Sequence, residues 1–140
     1  MEIRVACDAS VAAADAAQWI AGKLRLAHRR RGAASLAVSG GTTPTAMFAL
    51  LVAFDLPWRD VTVWQVDERI APDGSPNRNA LLLDVFAEVG AHVRLMPVGE
   101  SDLTAAARRY AEGLPARFDV VHLGLGDDGH TASWVPADPV

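Results

Sequence analysis

Apolar positions along this chain fall into short β-type runs separated by stretches with helical spacing. Ile3 to Cys7 is a brief apolar run that predicts a strand. Ser10 stands as the N-cap of the Ala-rich stretch behind it, where Ala13, Ala16, Ala17, Ile20, Leu24 and Ala27 recur on one helical face and Gly32 lies just past the end. Ser35 to Val38 predicts a strand punctuated by Gly40 and Gly41. A helix to about Phe54 follows, with Thr43 as cap and Pro44 at its first position, where proline costs no hydrogen bond. Val61 to Val66 is β-branched and aromatic and predicts a strand; a loop rich in Pro, Gly, Asp and Asn comes next. Asn79 to Val89 predicts a helix stopped by Gly90, Val93 to Pro97 a strand, Ser101 to about Glu112 a helix capped by Ser101, and Asp119 to Leu123 a last strand before a Gly-rich loop.

This alternation of strand and helix predicts a single α/β domain over residues 1–140, with a mainly parallel sheet covered on both faces. In such sheets ligands bind outside the C-terminal strand ends. That rule directs attention to three loops, after Val38, after Val66 and after Leu123. Composition agrees with a folded domain, since 51% of the residues are apolar and 21% charged. The net charge of -4 gives no basic face for nucleic acid, and Arg29, Arg30 and Arg31 are read as a solvated helix C-terminus. The longest apolar run, Ala46 to Phe54, is too short to span a bilayer, and no signal-peptide core is read near the start, so no membrane partner is expected. Cys7 is the single cysteine, which fits a reducing, cytoplasmic location.

The first loop is Ser39-Gly40-Gly41-Thr42-Thr43-Pro44. Two glycines allow close backbone approach, and the helix start behind them offers free N–H groups, an arrangement suited to a phosphate or another anion. The same residues also make an ordinary strand-turn-helix connection. No Gly-Lys-Ser/Thr follows, so the loop is not a Walker motif. The second loop begins Asp67-Glu68-Arg69, placing a carboxylate and a guanidinium together at a strand end. Asn77, Arg78 and Asn79 lie downstream at a helix start, Asn77 as a capping or solvated residue. The third loop, Gly124 to Ser133, contains a literal G-x-G-x-x-G. A dinucleotide reading is rejected because Asp127 and Asp128 would repel a pyrophosphate and no ribose-binding acid follows. The turn instead presents Asp128 beside His130, a pairing that orients an imidazole for proton transfer. His28 is placed in the last turn of a helix, His92 in a turn and His122 buried or half-buried in a strand; no pair has metal-ligand spacing. The four tryptophans are read as packing residues.

Taken together, SGGTTP (39–44), DERIAPDGSPNRN (67–79) and GLGDDGHTAS (124–133) resemble the 6-phosphogluconolactonase family, within the wider glucosamine-6-phosphate isomerase group. The resemblance covers nearly the whole chain, and the third stretch is its most specific part. Deaminases of the group typically carry Asp-Glu-Tyr and Gly-His-Ile-Ala-Phe-Asn; this chain has Asp67-Glu68-Arg69 and Gly129-His130-Thr131-Ala132-Ser133-Trp134, which favours the lactonase branch. A smaller departure is Trp134-Val135-Pro136, where lactonases usually continue Leu-Phe-Pro. Family members run well past Val140 and add basic residues that grip phosphate. The resemblance therefore implies a three-layer α/β/α, Rossmann-like domain that is incomplete at its C-terminal end, with an uncovered edge or face open to self-association.

The resemblance also implies hydrolysis of 6-phospho-D-glucono-1,5-lactone to 6-phosphogluconate, without metal or organic cofactor. His130 is expected to move the proton, Asp128 to orient it, Arg69 to stabilise anionic substrate or oxyanion, and Asp67 to hold sugar hydroxyls or water. Gly40, Gly41, Thr42 and Arg78 are expected to bind substrate, with Thr42 a phosphate donor. Two alternatives remain: a glucosamine-6-phosphate deaminase or isomerase, and a sugar-phosphate-binding module without turnover.

Overall fold

The computed structural model describes residues 2–137. Its first helix, α1 (Ala9–Arg31), is capped by Asp8, whose carboxylate accepts from the Val11 N–H at 2.9 Å. Ser10, expected as the cap, lies inside the helix and donates its hydroxyl to Asp8 at 2.7 Å. A carboxylate suits the positive end of the helix dipole better than a hydroxyl does. The strand expected over Ile3 to Cys7 does not form; no neighbouring strand pairs with it, and Ile3 and Val5 are 73% and 92% exposed. A short apolar run without a ladder partner gains nothing from extension. At the far end of α1, His28 pairs with Asp60 at 3.0 Å, and Arg31 pairs with Asp119.

Four strands make one sheet in the order β3-β2-β1-β4, all pairs parallel. They are β1 (Ala34–Val38), β2 (Val61–Gln65), β3 (His92–Arg94) and β4 (Val120–His122). The register sets Leu36 beside Val63 and Val120, so side chains of alternate residues line up on each face. Asp119 anchors the start of β4 to β1: its carboxylate accepts from the Ser35 N–H at 2.9 Å. Burial would raise its pKa, but this bond and Arg31 outweigh that and hold it low.

One face of the sheet carries Leu36, Val38, Val61 and Val63 against α1, α2 (Pro44–Val52) and α3 (Asp84–Glu88). Phe48 of α2 and Phe86 of α3 meet edge to face at 5.2 Å in the centre of this core. The opposite face carries Ala37 and Trp64, covered by α4 (Leu103–Glu112) through Ala106 and Tyr110. Helices on both faces of a parallel sheet are the three-layer α/β architecture that the alternating pattern implies. His122 is half-buried, edge-on to Phe48 at 6.0 Å, and burial lowers its pKa.

Several boundaries differ from the pattern, each for a local reason. Thr43 is already helical and makes no capping bond, and α2 stops at Val52. Residues Asn79–Leu83 form a 3-10 turn before α3, and the Glu68 carboxylate takes the Asn79 and Ala80 N–H groups at its start. The third strand starts at His92, expected in a turn, and ends at Arg94, because the Gln65 side chain takes the Met96 N–H at 2.6 Å. Asp102, not Ser101, caps α4 by accepting from the Ala105 N–H. Trp58 and Trp64 are packing residues; Trp19 is 43% exposed and Trp134 76%, so neither belongs to the core.

Phe48 is 1% exposed at the junction of α2, α3 and β4. Phe48→Ala is expected to lower unfolding free energy by about 3–5 kcal/mol, read as a lower urea midpoint. A loss below about 1 kcal/mol would move the centre of the core elsewhere.

Candidate active site

Parallel strands end their ladders on one side of the sheet, and the three loops emerge there. Val66 N–H donates to Val38 O at 2.9 Å and Ser39 N–H to His122 O at 3.2 Å, so the chain leaves β1, β2 and β4 at one level. The loop after β1 runs directly into α2; Gly41 and Thr42 are exposed there, and Gly40 is half-buried.

The loop after β2 is held from beneath by Glu68, whose side chain is fully buried. Its carboxylate accepts from the Gln65 amide at 2.7 Å and from the backbone N–H groups of Arg69 at 2.7 Å, Asn79 at 2.7 Å and Ala80 at 2.9 Å. Arg78 Nε stands 3.1 Å away as the counter-ion. Burial pushes the Glu68 pKa up, but the bonds from Arg69, Gln65, Asn79 and Arg78 together pull it below the usual range. The ring of donors thus keeps the carboxylate ionised without water. Arg78 is 7% exposed and also donates to Ala71 O at 3.1 Å and to Asp73 at 2.8 Å. Its guanidinium is engaged with protein acceptors inside the loop. Arg69 is exposed, and its guanidinium makes no hydrogen bond or ion pair among the described residues.

After β4 the chain turns tightly. Gly126 N–H donates to His130 O at 2.8 Å, and Gly129 N–H to Gly126 O at 2.9 Å. The turn brings His130 Nδ1 to 2.5 Å from Asp128 Oδ1, which also accepts the His130 N–H at 3.1 Å. The bond from the His130 backbone, and then that from its ring, lower the Asp128 pKa. An ionised Asp128 accepts a proton-bearing Nδ1, so the neutral ring carries its lone pair on Nε2. Close packing fixes the turn: a Cβ on Gly126 would overlap the His130 ring and stand 2.9 Å from Asp128 Oδ1.

Two bonds join this loop to its surroundings. Thr131 Oγ1 donates to Gly124 O at 2.8 Å, and Ser133 Oγ donates to Asp67 Oδ2 at 2.7 Å. Ser133 thus ties the loop that carries Asp128 and His130 to Asp67, with Arg69 on the same strand end and Gly40, Gly41 and Thr42 on the adjacent one. Ser133, Glu68 and Asn79 join the site through contacts that no sequence pattern marks. Ser133 was legible only as part of a motif, and the burial that gives Glu68 its role leaves no mark in a polar Asp-Glu-Arg triplet. Among the described residues no group of three or more His, Cys, Asp or Glu side chains is placed to hold a metal ion.

A family model described as glucosamine-6-phosphate isomerases/6-phosphogluconolactonase matches residues 7–140. A 6-phosphogluconolactonase of Mesorhizobium japonicum is 43% identical over 124 residues, covering 84% of this chain and 52% of the relative. One of Pseudomonas putida is 38% identical over 146 residues, covering 99% of this chain and 60% of the relative. The crystal structure of a 6-phosphogluconolactonase from Shewanella baltica, 37% identical, superimposes with a TM-score of 0.84 over 92% of this chain and 58% of that one. The chain thus spans about half the length of the curated relatives it matches.

The Glu68 arrangement predicts a pH signature. A folded-state pKa below the unfolded one contributes stability in full above about pH 4.3, and that contribution is lost as pH falls through the folded value. Glu68→Gln is expected to cost about 3 kcal/mol at pH 7, with the gap to wild type narrowing as pH falls below about 4.3 and the native carboxylate begins to protonate. Urea unfolding across that pH range checks it; a gap that does not change with pH would contradict an ionised Glu68.

Proposed function

Because the chain belongs to the glucosamine-6-phosphate isomerase/6-phosphogluconolactonase family, we propose that it carries the lactone-opening centre of a 6-phosphogluconolactonase. The substrate of that reading is 6-phospho-D-glucono-1,5-lactone and the product 6-phosphogluconate. The observation that carries it is the third loop's dual attachment: it pairs His130 with Asp128 and, through Ser133, seats itself on Asp67.

Water attacks lactone C1 while its proton passes to His130 Nε2, the nitrogen left free by the Asp128 contact. The carbonyl electron pair moves to oxygen, and the exposed Arg69 guanidinium stabilises that oxyanion. The C1–ring oxygen bond then breaks, and the imidazolium returns its proton to the ring oxygen. Asp128, held low in pKa, balances the imidazolium charge. Asp67 has one carboxylate oxygen committed to Ser133, leaving the other for a sugar hydroxyl or the attacking water. Gly40, Gly41 and Thr42 stand at the start of α2, where Thr42 Oγ1 donates to phosphate. Arg78 serves the site by holding the loop that carries Asp67 and Arg69. No step calls for a metal or an organic cofactor. The free, exposed Cys7 fits a reducing, cytoplasmic setting.

The outer edge of β4 has no neighbouring strand among the described residues, and Val121 within it and Leu123 just after it are 50% and 52% exposed. We place self-association of the isolated chain on this edge, with a second copy as the occupant. Light scattering across a concentration series is expected to show dimers that Val121→Lys disperses; a monomer at every concentration rejects the placement.

The chemistry is tested with fresh lactone, following 6-phosphogluconate formation above the spontaneous rate. His130→Ala is expected to lower kcat by at least ~100-fold. Turnover that survives the substitution removes His130 from the mechanism.

A further inference from the structure

Gly40 follows β1 by two residues, and Asn79 opens the 3-10 turn beyond the second loop. Asn79 is 9% exposed and held at two points. Its backbone N–H donates to Glu68 at 2.7 Å, and its side-chain Nδ2 donates to the Asp67 carbonyl at 3.2 Å. The carbonyl acceptor settles which way the carboxamide faces, since only its nitrogen donates. A Cβ built on Gly40 would overlap this carboxamide, and even the farthest of the three atoms it meets, Nδ2, would be 2.7 Å away. Neighbouring glycines behave differently: a Cβ on Gly41 would meet nothing nearer than Pro44 at 3.9 Å, and one on Gly124 would meet nothing within 4 Å.

We propose that Asn79 is a positioning residue that keys the first loop onto the second. Its carboxamide fills the place of a side chain at position 40 and pins the main chain that carries Asp67. Glu68 holds the Asn79 backbone from below, so the carboxamide cannot swing aside to admit a larger residue at 40 without breaking its bond to Asp67 O. Gly40 is therefore a glycine because of Asn79. The steric coupling stands by itself; the kinetic consequence rests on the role given to Asp67 above.

The test is a substitution cycle on the chain, with Gly40→Ala and Asn79→Ala made singly and together. Thermal unfolding is expected to lose at least ~5 °C for Gly40→Ala with Asn79 present, and under ~2 °C with Asn79→Ala. If Gly40→Ala does not fold alone, folding of the double variant supports the coupling, and its failure to fold overturns it. Equal losses in both backgrounds also overturn it. Asn79→Asp keeps the shape but removes the donor. In lactone opening it is expected to lower kcat by about 10-fold or more while KM changes less than about two-fold; an unchanged kcat rejects the positioning role. A wild-type chain without lactonase activity would count against the proposed reaction, and the melting cycle would then decide the inference by itself.

Discussion

A carboxylate sealed from water beneath the end of β2 is the constraint from which the functional face follows. Leaving Glu68 unpaired there would cost several kcal/mol, so the surrounding chain has to supply donors. It does so from both ends of the second loop, with Gln65 and Arg69 at its start and Asn79 and Ala80 at its end as donors and Arg78 as the counter-ion. The loop is thereby closed on itself. Of the residues flanking Glu68 in sequence, Arg69 is left exposed and Asp67 half-buried, where it accepts from Ser133. The Glu68 carboxylate also takes the first two N–H groups of the Asn79–Leu83 3-10 turn, which would otherwise be left without partners.

From this closed loop the other two are positioned by contact. Asn79 reaches the first loop by occupying the space over Gly40, and Ser133 brings the third loop down onto Asp67. In the third loop itself Gly126 does for His130 what Gly40 does for Asn79, removing a side chain where another must lie. Packing of this kind holds groups in place without the entropy cost of long flexible contacts, and placement is what the proposed lactone opening would demand. The hydrophobic layers beneath, centred on Phe48 and Phe86 on one face and Trp64 with Tyr110 on the other, keep the strand ends level.

Helix-type and strand-type periodicity, the turn residues and the three motifs are local properties, so the alternating α/β order and the three chemistry-bearing loops were legible in the sequence, as were the His130–Asp128 pairing and the half-buried strand position of His122. Local patterns fail where a distant group competes for the same backbone atoms. Gln65 takes the Met96 N–H and ends β3 early, and Glu68 reshapes the start of the following helix. Ile3 and Val5 look like strand residues, but a strand exists only beside another strand.

The sequence by itself determined which residue types stand at the strand ends, because motif spacing and hydrophobic period are written along one dimension. Tertiary structure alone decided what they do there. Arg78 reads as a ligand grip and becomes the buried partner of Glu68; Asn79 reads as a helix start and becomes a bridge between loops; Ser133 reads as the tail of a motif and becomes the tie to Asp67. Burial and hydrogen-bond partnership belong to pairs of groups far apart in the chain, and the energy of desolvating one of them is settled only when folding brings its partner within reach.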